Sequence, residues 1–273
     1  MTYSPLWSSR FRWVADRFAV LAALSLTAPG AIARADQWLP PGEAEYLTAD
    51  KRFRFRVIPR GIASPLAYFE DKVAGRSAAG QEPSSSQQCN GVLEFRQSKW
   101  RAYHPVWRRA LVNDVSPVSA VVSDDGTYVA TFDNWHSTGY GPTTLTIYGA
   151  NGSTVRSFGL YEFLLRNEIE RLSRSVSSIH WFNEARFEPS GTGPVLVLGV
   201  RQNGARGSDD PPITIRIDPR NGHPLRSASD LETITEQTEQ CRPDAWQMAP
   251  VDKGCEGKLV YSIWCNLCGN SRH

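Results

Sequence analysis

Residues 117–160 read PVSAVVSDDGTYVATFDNWHSTGYGPTTLTIYGANGSTVRSFGL, and this stretch decides the fold. Its alternating and continuous apolar runs predict four short strands, at residues 118–122, 127–132, 144–148 and 154–158. Tight turns are predicted at Asp124-Asp125-Gly126 and Asn151-Gly152, because these residue types tolerate the positive φ that hairpin turns need. Leu160 to Ser173 follows with apolar residues at helical spacing and predicts one amphipathic helix.

The same succession of strand, loop, strand, polar turn and strand occurs three times in the chain. The instances are RFRFRV with VLEFRQSKWRAY, YVATF with LTIYGANGSTVRSF, and VLVLGV with ITIRIDPRNGHPL. Weak repetition of this kind is typical of propeller blades. We therefore predict a mainly β protein whose antiparallel meanders form a partial or small β-propeller-like domain, with one or two short helices. A β-sandwich is the alternative, because closed propellers have about 4–8 blades, and a fourth blade would have to come from the chain termini.

Other elements follow from local patterns. Arg52–Ile58 alternates strictly and predicts a half-buried strand. Gly75–Gln88 is rich in Ser, Gln and Gly and predicts a flexible loop. Ser229–Gln240 predicts a short helix with Ser229 as its N-cap, and Lys258–Trp264 is the last strand candidate.

Residues 1–35 have the three regions of a signal peptide in order. The basic residues Arg10, Arg12 and Arg17 come first, the apolar run 18–28 follows, and Ala33-Arg34-Ala35 forms a small-x-small cleavage site. The apolar run is shorter than the ~20 residues that a spanning helix needs. We predict cleavage before Asp36, export to the periplasm or the cell exterior, and no membrane span afterwards. An amphipathic N-terminal helix of a cytosolic protein is the alternative.

The mature chain is predicted to hold a β-rich domain at residues 36–240 and a cysteine-rich tail at residues 241–273. The five cysteines, all disulfide candidates, are Cys89, Cys241, Cys255, Cys265 and Cys268. Disulfides are the default in an oxidising compartment, and an odd number leaves one thiol free or paired between chains. The formal net charge is +2 and residues 36–273 contain no dense Lys/Arg run, so no nucleic-acid partner is predicted.

The tail also permits two other interpretations. Trp264-Cys265-Asn266-Leu267-Cys268 resembles the Trp-Cys-x-x-Cys of thioredoxin-like oxidoreductases, and a zinc site from Cys255, Cys265 and Cys268 with Cys241 or His273 is chemically feasible. Only one Cys-x-x-Cys knuckle is present, so structural disulfides are favoured. The sequence has no His-Glu-x-x-His, phosphate loop, dinucleotide fingerprint or EF-hand loop, and we expect neither a metal nor a cofactor.

The segment SDDGTYVATFDN resembles the blade strand of TolB-like propellers, and Ser123, Asp125 and Gly126 with the strand after them carry the match. The wider stretch from Val122 to Trp181 is similar to a group of exported bacterial proteins of unknown function. The resemblance implies propeller-type β repeats and no particular activity.

The loop from Asp133 to Pro142 is the candidate functional site, because loops on a rigid scaffold commonly carry function. Asp133 and His136 are the candidate catalytic residues, since an Asp can orient a His by a hydrogen bond. Asn134, Trp135 and Tyr140 are the candidate binding residues. No Gly-x-Ser-x-Gly elbow supplies a nucleophile, and a purely structural role at the strand end is the competing interpretation.

We therefore predict a non-catalytic binding or interaction module for an unknown protein or small-molecule ligand. An extracellular or periplasmic hydrolase that uses Asp133 and His136 is the alternative function.

Overall fold

A computed structural model describes residues 39–175, 178–201 and 213–240. The predicted signal peptide, the cysteine-rich tail and the strand candidate Lys258–Trp264 lie outside the described residues. In the described part, three four-stranded antiparallel sheets and one two-stranded ribbon account for the β-structure.

Each four-stranded sheet is a simple meander, and we call these sheets blades 1, 2 and 3. Blade 1 consists of β1 (Ala44–Leu47), β2 (Phe53–Ile58), β3 (Asn90–Phe95) and β4 (His104–Ala110). Blade 2 consists of β5 (Ser119–Val122), β6 (Val129–Phe132), β7 (Leu145–Tyr148) and β8 (Thr154–Phe158). The ribbon follows, with β9 (Ser173–Arg174) and β10 (Ile179–His180). Blade 3 consists of β11 (Phe182–Glu188), β12 (Val195–Val200), β13 (Ile213–Asp218) and β14 (His223–Pro224).

The helices are short and lie in the connections or after the last described strand. They are α1 (Pro65–Val73), a 3₁₀ helix (Leu160–Glu162), α2 (Arg166–Glu170) and α3 (Ala228–Gln240). The prediction of a mainly β fold with short helices is confirmed, although α1 was not predicted. Its start is encoded locally, since Ser64 accepts a hydrogen bond from the Ala67 N–H and Pro65 occupies the first turn.

The single helix predicted for Leu160–Ser173 is wrong in its extent. The chain forms two separate turns there, each closed by a glutamate that accepts from the backbone N–H three residues earlier. Glu162 accepts from Gly159 at 2.7 Å, and Glu168 accepts from Leu165 at 2.8 Å. The N-cap predicted for the last helix is also displaced, because Ser227, and not Ser229, accepts from the Asp230 N–H.

The first strands of the blades lie side by side, because β5 packs against both β1 and β11. Such convergence of first strands is the arrangement of propeller blades, whereas the sheets of a sandwich pack face to face. The architecture is therefore propeller-like, as predicted, and the sandwich alternative does not describe it.

Blade 2 is covered on both faces. One core lies between blades 1 and 2 and includes Phe55, Leu93, Trp107, Val129 and Tyr148. A larger core between blades 2 and 3 includes Phe132, Leu145, Phe163, Trp181 and Leu198. Burial on both faces explains why every residue of β6 and β7 is buried and why these strands lack a polar face.

The first turns of blades 1 and 2 repeat one hydrogen-bond network. In blade 1, the Thr48 hydroxyl donates to Asp50 at 2.7 Å and accepts from the Phe53 N–H at 3.1 Å. In blade 2, the Ser123 hydroxyl donates to Asp125 at 2.6 Å and accepts from the Tyr128 N–H at 2.9 Å. The segments Thr48-Ala49-Asp50-Lys51 and Ser123-Asp124-Asp125-Gly126 are thus structural repeats.

The joint between successive blades is also repeated. Blades 2 and 3 each have a glycine in the turn between their third and fourth strands. This glycine packs against the fourth strand of the preceding blade. A Cβ added at Gly152 would lie 2.7 Å from Trp107 and Arg109, and one at Gly222 would lie 2.8 Å from Arg156. Arg109 donates to the Asn151 carbonyl at 3.3 Å, and Arg156 donates to the Gly222 carbonyl at 3.5 Å.

Successive strands of each blade run in opposite directions, so alternate connections lie at the same end, and the longer connections share one end of the blades. We call this end the loop face; among the described residues it comprises 59–89, 111–118, 133–144, 159–175 and 178–181. Backbone bonds tie these segments together: Arg60 N–H to the Val115 carbonyl, Trp135 N–H to Ser116, and Ile179 N–H to Thr138. The opposite end, the turn face, comprises the connections 48–52, 96–103, 123–128, 149–153, 189–194 and 219–222.

Candidate functional site

The candidate loop begins at Asp133, directly after β6. Asp133 has a φ of 56°, in the left-handed region where Asp is one of the better tolerated non-glycine residues. Its N–H donates to the Thr144 carbonyl at 2.8 Å, which closes the loop at its base. Its own carbonyl accepts from the Asn113 side chain at 2.8 Å. The backbone of Asp133 is therefore fixed on both sides.

The Asp133 carboxyl group is buried and points toward blade 3. It accepts a hydrogen bond from the Gly139 N–H at 2.6 Å and from the Trp181 indole Nε1 at 3.1 Å to each oxygen. Burial raises the pKa of Asp133 to about 7, although both of these donors favour the ionised form. The carboxyl group is thus committed to internal partners in its own loop and in the residue that precedes β11.

His136 lies in a different environment, among aromatic rings next to α1. Its ring centroid is 5.4 Å from that of Tyr68, 6.0 Å from Phe69 and 6.1 Å from Trp135. Burial and then the nearby Lys72 charge lower the pKa of His136, against the opposite effect of Asp114. The imidazole is therefore largely neutral near pH 7.

The structure does not bring the two candidate catalytic side chains together as a hydrogen-bonded pair. Within the described residues, the hydrogen bonds to the Asp133 carboxyl come from Gly139 and Trp181, and no hydrogen bond or ion pair joins it to His136. The two side chains point toward different neighbours, because the loop turns sharply at Asn134 and Ser137, which exchange backbone hydrogen bonds.

The candidate binding residues occupy three positions on the same loop. Asn134 donates to the Thr143 hydroxyl at 2.8 Å and accepts from Asn113 at 3.0 Å, so its amide spans the base of the loop. Trp135 is half-buried, stacks on Phe69 and donates from its indole to the Leu39 carbonyl at 2.8 Å. Tyr140 is half-buried against the core between blades 2 and 3.

An ionic network that the sequence did not predict lies next to the loop. Asp114 accepts from Arg60 at 3.0 Å through one carboxyl oxygen, and from Lys72 at 2.8 Å and the Tyr68 hydroxyl at 3.0 Å through the other. We call Arg60, Tyr68, Lys72, Asp114 and His136 the Asp114 cluster. The members come from three connections, so only the folded chain brings them together.

The charges of the cluster are interdependent. Burial disfavours the ionised form of Asp114, but the Lys72 hydrogen bond and the charges of Lys72 and Arg60 outweigh this and hold its pKa below the ordinary value. Burial and the charge of Asp114 raise the pKa of Tyr68. Arg60 is 3% exposed and also donates to the Ala79 carbonyl at 2.9 Å, so its buried guanidinium links Asp114 to the backbone at Ala79.

Cys89 is a free, buried thiol in the core between blades 1 and 2. Burial, followed by the charge of Asp114, raises the pKa of this thiol to about 12. Of the predicted disulfide candidates, Cys89 is thus found as a thiol. Cys241, Cys255, Cys265 and Cys268 lie outside the described residues.

The described residues contain neither a cluster of metal-ligating side chains nor a membrane-spanning helix. Nowhere in residues 39–175, 178–201 and 213–240 do three or more His, Cys, Asp or Glu side chains converge in a way that suits a metal ion. Among the described helices, none combines the length and the hydrophobicity required of a bilayer-spanning segment.

Comparisons with known proteins give one distant structural neighbour. No protein-family model matches the sequence, and no curated protein matches it. The neighbour is the periplasmic gluconolactonase of Pseudomonas aeruginosa, with a TM-score of 0.36 and 14% sequence identity. The match covers 69% of this chain and 43% of that chain. The propeller-like architecture rests instead on the blade topology described above.

Proposed function

We propose that this protein is an exported, non-catalytic binding module whose ligand contacts the loop face. The observation that supports the proposal is the difference between the two ends of the blades. The loop face gathers ionisable and aromatic side chains from three connections, namely Tyr68, Lys72, Asp114, Trp135 and His136. On the turn face the tight turns satisfy their own hydrogen bonds, as at Thr48 and Ser123, and the exposed pair Lys99 and Trp100 comes from a single connection.

A non-catalytic role is favoured by the state of Asp133. Its carboxyl group accepts hydrogen bonds from Gly139 and Trp181 and is 2% exposed. A general base must reach the proton that it removes, directly or through one water molecule. A buried carboxyl group that holds the loop to blade 3 is better suited to positioning the loop than to proton transfer.

A hydrolase is the second candidate, and one observation favours it. His136 is half-buried with a lowered pKa, because the effect of burial is only partly offset by the hydrogen bond of its ring to its own backbone. A neutral imidazole of this kind suits general-base catalysis near pH 7. In such a hydrolase His136 would act beside the other members of the Asp114 cluster and without a direct bond to Asp133.

Export is part of the proposal and is supported by the ordered signal regions in residues 1–35. Mass spectrometry of the protein expressed with its full N-terminal sequence tests it. We expect a mature N-terminus at Asp36, and recovery of the uncleaved chain in the cytosol would contradict export.

The binding proposal is tested with immobilised glycan and peptide arrays and a library of soluble small acids, using the mature chain. Trp135→Ala on the loop face is compared with Trp100→Ala on the turn face, where Trp100 is 84% exposed. We expect Trp135→Ala to weaken binding of any array ligand and Trp100→Ala to leave it unchanged, with thermal unfolding confirming that both variants fold. The reverse pattern, or conversion of the ligand that His136→Ala abolishes, would contradict a non-catalytic loop-face module.

A further inference from the structure

The charges of the Asp114 cluster do not cancel. Arg60 and Lys72 are positive and Asp114 is negative, so the three groups leave one positive charge in excess. Arg60 is buried and saturated by Asp114, Ala79 and Gln81. The accessible excess charge is therefore that of Lys72, whose side chain is 49% exposed.

The carboxylate of Asp114 is largely occupied by donors of the cluster. One carboxyl oxygen is bonded to Arg60, and the other is bonded to both Lys72 and the Tyr68 hydroxyl. The nearby Asp71 is likewise engaged, since it pairs with Arg76 and accepts from the Gly80 N–H at 2.8 Å. A ligand that approaches the cluster thus meets mainly donor groups.

One donor, Lys72, remains available at the surface of the cluster. The Lys72 ammonium has three N–H groups, of which one is directed to Asp114 at 2.8 Å. The ammonium also lies 5.5 Å from the centre of the Tyr68 ring, which fixes its position over the cluster. The His136 ring lies 5.4 Å from the Tyr68 ring and is already hydrogen-bonded to its own backbone, so it is a neighbour of this donor and not a second one.

Two aromatic rings, those of Phe69 and Trp135, lie next to the Asp114 cluster, and we call this pair the aromatic wall. Phe69 and Trp135 stack with ring centroids 6.3 Å apart, and both rings pack around His136. The two residues are half-buried, because they pack against the buried cluster of Ile62, Tyr68, Ala79 and Val115 without being enclosed by it. A flat apolar group gains contact area on such a wall beyond what the charge provides.

We propose that Lys72 binds the carboxylate of a small organic acid whose apolar body packs on Phe69 and Trp135. This inference rests on the proposed function and specifies its ligand class. The carboxylate would accept from the Lys72 ammonium, in the orientation that Asp114 and Tyr68 impose on that ammonium. Charge-assisted hydrogen bonds of this type are stronger than neutral ones.

The test uses benzoate as the probe and benzamide as its uncharged isostere, titrated into the full mature chain and followed by amide NMR shifts. We expect benzoate to bind about tenfold more tightly than benzamide, the difference expected of one charge-assisted contact, with shifts at residues 65–73, 111–118 and 133–142. Equal binding of the two probes, or shifts confined to the turn face, would overturn the proposal. Inorganic phosphate is a third probe, and phosphate bound more tightly than benzoate would overturn the carboxylate assignment.

A matched pair of lysine variants isolates the charge. Lys72→Met is expected to weaken benzoate about tenfold and Lys72→Arg to retain it, because arginine keeps both the charge and the bond to Asp114. Lys99→Met is the control, since Lys99 also lies over an aromatic ring, 4.8 Å from Trp100, but on the turn face. Benzoate binding that is unaffected by Lys72→Met would overturn the proposal, and the benzoate–benzamide comparison on the unaltered chain decides it even if Lys72→Met unfolds.

Failure of this inference is distinguishable from failure of the proposed function. An array ligand that depends on Trp135 but not on Lys72 would overturn the carboxylate site and leave the loop-face binding module intact. A ligand that depends on neither residue would contradict both.

Discussion

The Asp133 carboxyl group accepts hydrogen bonds from the Trp181 indole Nε1 at 3.1 Å to each of its oxygens. Asp133 opens the candidate loop of blade 2, and Trp181 directly precedes the first strand of blade 3. The bond therefore fastens the loop to the next blade inside a core where both residues are almost fully buried. Its role is architectural, and it leaves the surface chemistry of the loop face to other residues.

Asp133→Ala is expected to destabilise the protein by about 2–4 kcal/mol. The change leaves the Trp181 and Gly139 donors unsatisfied in the core, and it places alanine at a φ of 56°. Urea denaturation measures the loss. The control is Asp124→Ala, at an exposed turn position, where we expect a change within about 0.5 kcal/mol. Equal effects at the two positions would show that the bond contributes nothing.

The raised pKa of Asp133 predicts a specific pH dependence of stability. The unfolded chain releases this proton near the ordinary value of 3.8, whereas the folded chain retains it until about pH 7. The folded state thus binds the proton more tightly, so the contribution is fully present below pH 3.8 and is lost as the pH rises toward 7. Denaturation of the unaltered protein across this range should show the decline.

Asp133→Asn is the matched variant for this effect. Asparagine tolerates the positive φ and retains one oxygen for Gly139 and Trp181, but it does not titrate. We expect the difference in unfolding free energy between the two proteins to change between pH 4 and about pH 7. The hydrogen bond from the Arg52 N–H lowers the pKa of Asp50, so Asp50 and similar carboxyl groups stabilise the fold as the pH rises, at lower pH than Asp133 acts. Both proteins contain these groups, so their contributions cancel in the difference. A difference that is independent of pH would contradict the assignment.

Lys51→Gly is expected to stabilise the protein by about 0.5–1 kcal/mol. Lys51 has a φ of 57° at the position that Gly126 occupies in the equivalent turn of blade 2, with a φ of 70°. The Lys51 carbonyl accepts from Arg96 and Tyr103, and glycine retains these bonds. Thermal unfolding measures the shift. Lys99→Gly serves as the comparison, and stabilisation by both variants would argue for a general charge effect in place of relief of backbone strain.

Gly152→Ala and Gly222→Ala are expected to destabilise the protein by about 1–3 kcal/mol each. Both glycines have positive φ, and an added Cβ would come within 2.8 Å of the fourth strand of the preceding blade. Gly191→Ala is the control, because no atom lies within 4 Å of its added Cβ. Denaturant midpoints provide the comparison. Unchanged midpoints for both Gly152→Ala and Gly222→Ala would contradict the claim that these glycines allow each blade to pack on the one before it.

The sequence predicted the parts of the fold that local patterns control. The strands of blade 2 and their turns at Gly126 and Gly152 were predicted within a few residues, because turn chemistry and apolar alternation are local signals. The split of Leu160–Ser173 was missed because the capping glutamates Glu162 and Glu168 lie inside a continuous helical period. The repeat of the Ser123 turn at Thr48 was missed because lysine replaces glycine in the left-handed position.

The candidate site was less accessible to sequence reasoning. Asp133 and His136 are neighbours along the chain, and that proximity suggested a functional pair. The structure directs Asp133 toward Trp181 and His136 toward Tyr68, and each of these partners is more than 40 residues away in sequence. The Asp114 cluster likewise joins three separate connections. Such groupings depend on how the blades are placed beside one another, which no local pattern encodes.

The central claim is that the loop face is where this protein binds its ligand. Hydrogen–deuterium exchange of the full mature chain, with and without an array-identified ligand, tests it most directly. We predict protection at residues 65–73, 111–118 and 133–144 and unchanged exchange at residues 123–128, 149–153 and 219–222. Protection confined to the second set, with the first set unchanged, would contradict the claim.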